Sequence, residues 1–153
     1  MIKKISIAIV EDFVRFRKGL IMAFEQYREE INILFDAEHG ADMIGQINTG
    51  KFPDVILMDL QMPVMDGIET TKWLHANHPE IKIIILTTHT DERFIRHMLE
   101  IGAHGYLFKN EEPSLIKAAI VEVLDKGYSI NLMVEGILKN SLTKTGNSPL
   151  LLK

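Results

Sequence analysis

Short β-branched apolar runs alternate with amphipathic stretches along most of this chain, and the alternation predicts five successive βα units. Ile5-Ser6-Ile7-Ala8-Ile9-Val10 reads as the first strand and Val14 to about Tyr27 as the first helix. Ile31 to Ala37 is a second strand, less hydrophobic than the others and so expected at a sheet edge. Asp42 to Ile47 reads as a short helix that ends near Gly50. Val55-Ile56-Leu57-Met58 is an uninterrupted apolar run, the pattern of a strand covered by helices on both faces. Gly67 to Asn77 is helical and stops ahead of Pro79; Ile83 to Leu86 is the fourth strand, followed by a helix from about Asp91 to Ile101. Tyr106-Leu107-Phe108 is the fifth strand. Pro113 suits the first turn of a last long helix reaching Asp125, with Gly127 behind it as a stop. Five such units in series predict an α/β fold: a doubly wound parallel sheet with helices on both faces and right-handed crossovers.

Past Gly127 the pattern changes. Apolar Leu132, Met133, Ile137 and Leu138 predict one more amphipathic helix over Asn131 to Asn140. Thr143 to Pro149 is polar and rich in breakers, which is linker composition. The last residues, Leu150-Leu151-Leu152-Lys153, are an odd design for a solvated tail and suggest a chain that continues. The predicted division is a domain over 1–127 and a helix with linker over 128–153.

Composition narrows the class. A length of 153 residues, 46% hydrophobic and 25% charged, fits one globular domain with a sizeable core. The formal net charge of -4 argues against this segment gripping nucleic acid by itself. The absence of cysteine removes disulfide and thiolate chemistry and fits a reducing compartment. The N-terminal apolar stretch is too short and too alternating for a signal peptide, and no apolar run reaches membrane-spanning length. A cytoplasmic protein without a membrane partner is expected.

The chemistry lies at the strand ends. Glu11-Asp12 closes the first strand, Asp59 the third and Thr87 the fourth, and Lys109 follows the fifth. In a doubly wound fold the carboxyl ends of parallel strands meet along one rim, where ligands bind. Three carboxylates, one hydroxyl and one ammonium therefore converge there. Crowded carboxylates take up protons unless a cation joins them. A hard, oxygen-seeking cation with an anionic group answers the arrangement, and Mg²⁺ with phosphate is the obvious pair. The site is built to carry a phosphoryl group on Asp59.

Glu11-Asp12, the segment Asp59-Leu60-Gln61-Met62-Pro63-Val64-Met65-Asp66-Gly67, the strand end Leu86-Thr87-Thr88 and Gly105-Tyr106-Leu107-Phe108-Lys109 together resemble the receiver domain of two-component response regulators. The resemblance runs from about Ile5 to Gly127, with every piece in order at a successive strand end. It implies a five-stranded flavodoxin-like sheet of order 2-1-3-4-5. It also implies that Asp59 is the phosphoacceptor, forming an acyl phosphate. Asp12 and Asp59 would ligate Mg²⁺ directly, Glu11 through water, and the Gln61 backbone carbonyl would complete the protein's share. Lys109 would pair with one phosphoryl oxygen and Thr87 would donate to another, with the backbone N–H groups of Leu60 and Thr88 nearby. Tyr106 would be the aromatic switch that turns inward as Thr87 moves toward the phosphoryl group. The implied partners are a sensor histidine kinase and a phosphorylation-dependent second copy. The Lys109-Asn110 junction resembles the LuxR/NarL-type branch, whose members reach DNA through a further C-terminal domain and control transcription.

Each residue also has a plainer role open to it. Asp12 could cap the first helix, Asp66 and Gly67 read as cap and turn, and Thr87 and Tyr106 could simply be strand and core residues. The six histidines are scattered and read mostly as surface residues; His75 and His78 are too few for a metal site. Three rival functions are weaker. A dehalogenase-type phosphatase needs a second acid where Gln61 stands. A nucleotide or flavin binder needs a glycine-rich loop where Glu11-Asp12 stands. A pseudo-receiver, acting only as an interaction module, would not need the full acidic set. Two positions depart from the family pattern: Asn110 where a proline usually follows the lysine, and Thr88 where a smaller residue is usual.

Overall fold

The apolar runs close into strands where periodicity places them. The computed structural model describes residues 3–131 and 134–139. In chain order the elements are β1 (Ile5–Val10), α1 (Val14–Phe24) with a 3₁₀ turn over Glu25–Tyr27, β2 (Ile31–Ala37), α2 (Gly40–Asn48) and β3 (Val55–Met58). There follow α3 (Gly67–Asn77), β4 (Lys82–Thr87), α4 (Glu92–Glu100), β5 (Gly105–Phe108), α5 (Pro113–Lys126) and β6 (Ser129–Ile130). The strands form one parallel sheet of order β2-β1-β3-β4-β5-β6, with β2 at one edge as its lower hydrophobicity predicted.

Two apolar layers sandwich the sheet. On one face Leu20 and Phe24 of α1 pack with Ile116, Ala119, Ile120 and Val123 of α5 over Ile7, Ile9, Leu57 and Ile84. On the other, Met43 and Ile47 of α2, Leu74 of α3, and Ile95 and Met98 of α4 cover Ala8, Val10, Ile56, Met58, Ile83 and Ile85. All four residues of β3 are buried, which explains its unbroken apolar run. Burying a side chain of that size stabilises by about 1.5–3 kcal/mol each.

Helix ends follow their chemistry. Pro113 opens α5, and Gly127 closes it at φ 90, a left-handed conformation open to glycine at little cost. Asp66 caps α3 by accepting from Glu69 N–H, and Asp91 caps α4 through Arg93 N–H. Helix α2 starts two residues earlier than its hydrophobic pattern suggested, because the His39 side chain accepts from Asp42 N–H and serves as its cap.

The expected order 2-1-3-4-5 holds, but the sheet has a sixth strand rather than five. Past Gly127, Ser129 and Ile130 pair in parallel with Gly105 and Tyr106, so strand pairing continues beyond the expected boundary at residue 127. Gly105 permits the approach: a Cβ there would lie 3.1 Å from the Ser129 carbonyl. Two residues carry too little periodicity for a strand to be read from sequence. Asn131 then accepts from Val134 N–H and donates to Glu111. Residues 134–139 are helical, with Val134 and Leu138 buried in the same cluster as Met98, Ala103, Tyr106 and Phe108. Leu132, Met133, the expected linker over 143–149 and the terminal leucines lie outside the described residues.

Candidate functional site

The parallel register assembles the rim. Val10 pairs with Met58 and Thr87 with Phe108, so the next residue on three strands (Glu11, Asp59 and Lys109) projects from the same edge. Ladder bonds continue into these positions: Asp59 N–H donates to the Val10 carbonyl at 3.1 Å and Lys109 N–H to the Thr87 carbonyl at 2.9 Å. The strand order reverses between β1 and β3, the topological switch point at which ligands bind in this architecture. Glu11-Asp12 and Asp59 flank that point.

Carboxylate oxygens of Glu11, Asp12 and Asp59 all lie within 4.8 Å of one another, the single such acidic or histidine cluster among the described residues. Their environments differ. Glu11 is 2% exposed and Asp59 7%, while Asp12 is open to solvent. Lys109 Nζ sits 3.1 Å from Asp59 Oδ2 and 2.5 Å from Glu11 Oε1, and lies over the Phe16 ring at 4.7 Å. Burial pushes the Glu11 carboxyl above its ordinary value, and the Asp59 charge adds to this, despite the opposing pull of Lys109 and Phe13 N–H. Burial alone would lower the Lys109 ammonium, but the two carboxylates outweigh it and hold it above its ordinary value. One ammonium thus partly offsets three acids, and the site retains a deficit of positive charge.

That deficit is the test of fit for a cation. Glu11 Oε1 is buried and meets no donor in hydrogen-bonding alignment, despite its close contact with Lys109. The donor set is all oxygen, with one ligand facing solvent, which suits a hard divalent ion that keeps several waters. The residues present fit.

The simpler role for Asp12 does not hold: the cap of α1 is Phe13, and the side chain that reaches the helix start is Glu11, whose Oε2 accepts from Phe13 N–H at 3.0 Å. Asp59 Oδ1 accepts from Leu60 N–H at 2.7 Å, which places the Leu60 donor at the carboxylate expected to be the phosphoacceptor. Thr87 is fully buried, and its Oγ1 accepts from His89 N–H at 3.4 Å. Tyr106 is also fully buried, with its hydroxyl donating to the His89 carbonyl at 2.8 Å. The Tyr106 ring, expected from the family resemblance to be a switch, is therefore inside, edge-on to Phe108 with centroids 5.8 Å apart. Gln61 is exposed and lines a cleft of about 580 Å³ with Asp12, Leu60, Met62, Pro63, His89 and Phe94. The Lys109–Asn110 bond is trans, as are all peptide bonds of the described residues.

The loop after Asp59 is tightly specified. A Cβ on Gly67 would overlap the Asp59 carbonyl, and Gly67 N–H donates to the Leu60 carbonyl at 2.8 Å. Gly67 is therefore a close-approach glycine as well as a turn. Between Pro63 and Met65, Val64 takes φ 67, a left-handed conformation that costs a β-branched residue about 1–3 kcal/mol.

Arg17 is a further residue of the site that none of the strand-end motifs marks. It is 7% exposed, and its guanidinium donates to the Glu11 carbonyl at 2.5 Å and to Asp36 at 2.8 Å. A signal was present: Arg17, Leu20 and Phe24 share one helical stripe, so an arginine stands where an apolar residue is expected.

Comparison with known proteins agrees with this geometry. The family model of the response regulator receiver domain matches residues 7–121. The chain is 35% identical over 130 residues to the transcriptional regulatory protein DegU of Brevibacillus brevis, covering 84% of this chain and 53% of that one. It is 36% identical over 123 residues to the transcriptional regulatory protein LnrK of Bacillus subtilis (strain 168), covering 80% and 55%. The chain thus spans about half the length of these curated relatives. Among solved structures, a LuxR-family two-component response regulator from Aurantimonas sp. SI85-9A1 superposes with a TM-score of 0.81 at 25% identity, covering 92% of this chain and 99% of that one. With three strand-end acids, a bridging lysine and a matching family model over most of its length, the chain belongs to the response regulator receiver domain family.

Proposed function

We propose that this domain is a phosphorylation switch in which Asp59 accepts a phosphoryl group from a phosphohistidine of a sensor kinase. The observation that carries the reading is Lys109 Nζ held between Glu11 and Asp59 at the switch point of the sheet. An Asp59 carboxylate oxygen forms the bond to phosphorus as the phosphorus–nitrogen bond to the donor imidazole breaks. The imidazole leaves with the electron pair and picks up a proton. Lys109 then exchanges its contact with Asp59 for one with a phosphoryl oxygen, while Leu60 N–H is already directed at the acceptor. Glu11, Asp12 and Asp59, with the Gln61 backbone carbonyl, would hold Mg²⁺, which when bound neutralises charge on the transferring group. Positioning and electrostatics supply most of the catalysis in such a transfer. Water attack on the acyl phosphate returns the carboxylate and inorganic phosphate slowly, so the domain is a switch rather than a turnover enzyme.

The output is transcriptional in this reading, in the LuxR/NarL-type branch. Support comes from the names of the curated relatives, which are transcriptional regulatory proteins about twice the span matched here. DNA would be reached through a further domain in a phosphorylation-dependent homodimer, in the cytoplasm. No helix among the described residues is long and apolar enough to cross a membrane. The test is incubation with acetyl phosphate and Mg²⁺: intact mass should show one added phosphoryl group, absent in Asp59→Asn. Undiminished incorporation in that variant overturns the assignment.

A further inference from the structure

Arg17 is the charged side chain that α1 buries, and a buried guanidinium is costly unless its donors are met. Its partners are not general packing contacts. Nη1 donates to the backbone carbonyl of Glu11 at 2.5 Å, and Nε to Asp36 Oδ2 at 2.8 Å on the neighbouring strand. Glu38 Oε1 stands 4.0 Å from Nη2. The Glu11 carbonyl belongs to the peptide that joins Glu11 to Asp12. Fixing it fixes the plane of that peptide, and so the direction in which each acid leaves the backbone.

The two acids depend on this differently. The Glu11 side chain has anchors of its own in Phe13 N–H and Lys109. Asp12 is exposed, and the cap of α1 falls on Phe13 instead. Its carboxylate is therefore placed by the turn that carries it.

We infer that Arg17 is a positioning residue: bound to the Glu11–Asp12 peptide and braced by Asp36, it sets the approach of the Asp12 carboxylate to Asp59 and so the cation affinity of the site. The inference rests on the proposed function for its consequence, since the cation matters only if the acids hold one. Supporting partners of metal ligands typically contribute 10–100-fold in affinity. Lysine keeps the charge at this position but offers one compact ammonium in place of a planar fork, and so loses the fixed spread of donors that meets the Glu11 carbonyl and Asp36 together.

The experiment uses the whole chain, isotope-labelled and metal-free, titrated with Mg²⁺ and read at the backbone amides. Arg17→Lys should displace the amide resonances of Glu11, Asp12 and Phe13 before any metal is added, and weaken Mg²⁺ binding about tenfold. Asp36→Ala, which removes only the brace, should act in the same direction with a smaller effect. The double variant should be no weaker than Arg17→Lys alone, because both changes act through one guanidinium. Wild-type Mg²⁺ affinity in a folded Arg17→Lys protein, or additive losses in the double variant, overturns the inference. If Arg17→Lys fails to fold, Asp36→Ala decides by the same readings. If the wild-type chain binds no Mg²⁺, the proposed function fails. The metal-free spectra then judge Arg17 alone: displacement confined to residues 11–13 supports positioning, and displacement spread along β2 and α1 overturns it.

Discussion

The Tyr106 hydroxyl donates a 2.8 Å hydrogen bond to the backbone carbonyl of His89, two residues past Thr87 on the loop that leads into α4. The same residue, His89, donates its N–H to Thr87 Oγ1 at 3.4 Å. One residue thus ties the Thr87 hydroxyl to the Tyr106 ring. In the proposed phosphorylated state, movement of Thr87 toward a phosphoryl group would pull on the segment that holds Tyr106 in place.

Tyr106→Phe keeps the buried ring and removes this tie. It should cost about 1 kcal/mol in urea unfolding, since the His89 carbonyl loses its donor. Beryllofluoride with Mg²⁺, an acyl-phosphate mimic, should shift amide resonances at His89 and along α4 in the wild type. The shifts along α4 should shrink in the variant. Equal shifts in both proteins would show that the loop responds without the hydroxyl.

Val134 and Leu138 of the helical residues 134–139 share a buried cluster with Tyr106 and Phe108, so a proposed switch at Tyr106 would reach that helix. Leu138→Ala should destabilise the domain by about 2 kcal/mol, the low end for a leucine truncated in a core. The mimic should alter hydrogen exchange over 134–139 in the wild type. Exchange there that ignores the mimic would mean the signal leaves by another face.

His104 makes stability pH-dependent. Its Nδ1 accepts from Ile83 N–H at 3.0 Å, so the folded ring is neutral, with its proton on the other nitrogen. Burial, with Lys82 and His75 adding positive charge nearby, pushes its pKa down to about 4. An unfolded histidine titrates near ~6.5, so the unfolded chain binds the extra proton between that value and about 4. The His104 contribution is fully present above about pH 6.5, is lost as pH falls, and is flat below about 4. Discounted for partial solvent screening, its size is about 1–2 kcal/mol. In His104→Asn, whose amide oxygen can accept from Ile83 N–H, denaturation midpoints at pH 4.5 and 7 should differ less than in the wild type. An unchanged difference would assign the pH dependence to the carboxylates.

Asp12→Ala removes the solvent-facing acid of the cluster while leaving the Glu11 and Asp59 contacts to Lys109. It should weaken Mg²⁺ at least about tenfold, since even a partner that only supports a ligand contributes that much. The metal-free fold should be unaffected or slightly stabilised by reduced crowding of charge. A Mg²⁺ titration identical to that of the wild type would locate the ion elsewhere.

Gln61 and His89 line the cleft that opens beside Asp12 and Leu60, next to Asp59 in the chain, so both are expected to tune attack of water on the proposed acyl phosphate. His89 is held there partly by its ring contact with Phe94, with centroids 4.8 Å apart. Substituting either by alanine should change the half-life of the acyl phosphate far more than the unfolding midpoint. Unaltered decay in both variants would turn attention to the exposed Thr88.

Five of the six strands, their order along the chain and the rim they share were legible from local sequence pattern alone. Val55–Met58 could only be a strand buried on both faces, Pro113 and Gly127 marked both ends of α5, and strand-end acids in a doubly wound fold have one edge to share. These signals are local: periodicity, caps and turn chemistry act within a few residues, and the structure follows them closely. Folding alone reveals which of the three acids are buried, that Lys109 bridges Glu11 and Asp59, that Arg17 turns inward to the Glu11 carbonyl, and that a sixth strand borders β5. Most of these depend on residues distant along the chain: Lys109 and Asp59 are 50 apart, and Arg17 and its brace Asp36 are 19 apart. A charged side chain reads the same in sequence whether water or a buried carboxylate will meet it. The choice depends on desolvation and on partners that exist only after the sheet has closed.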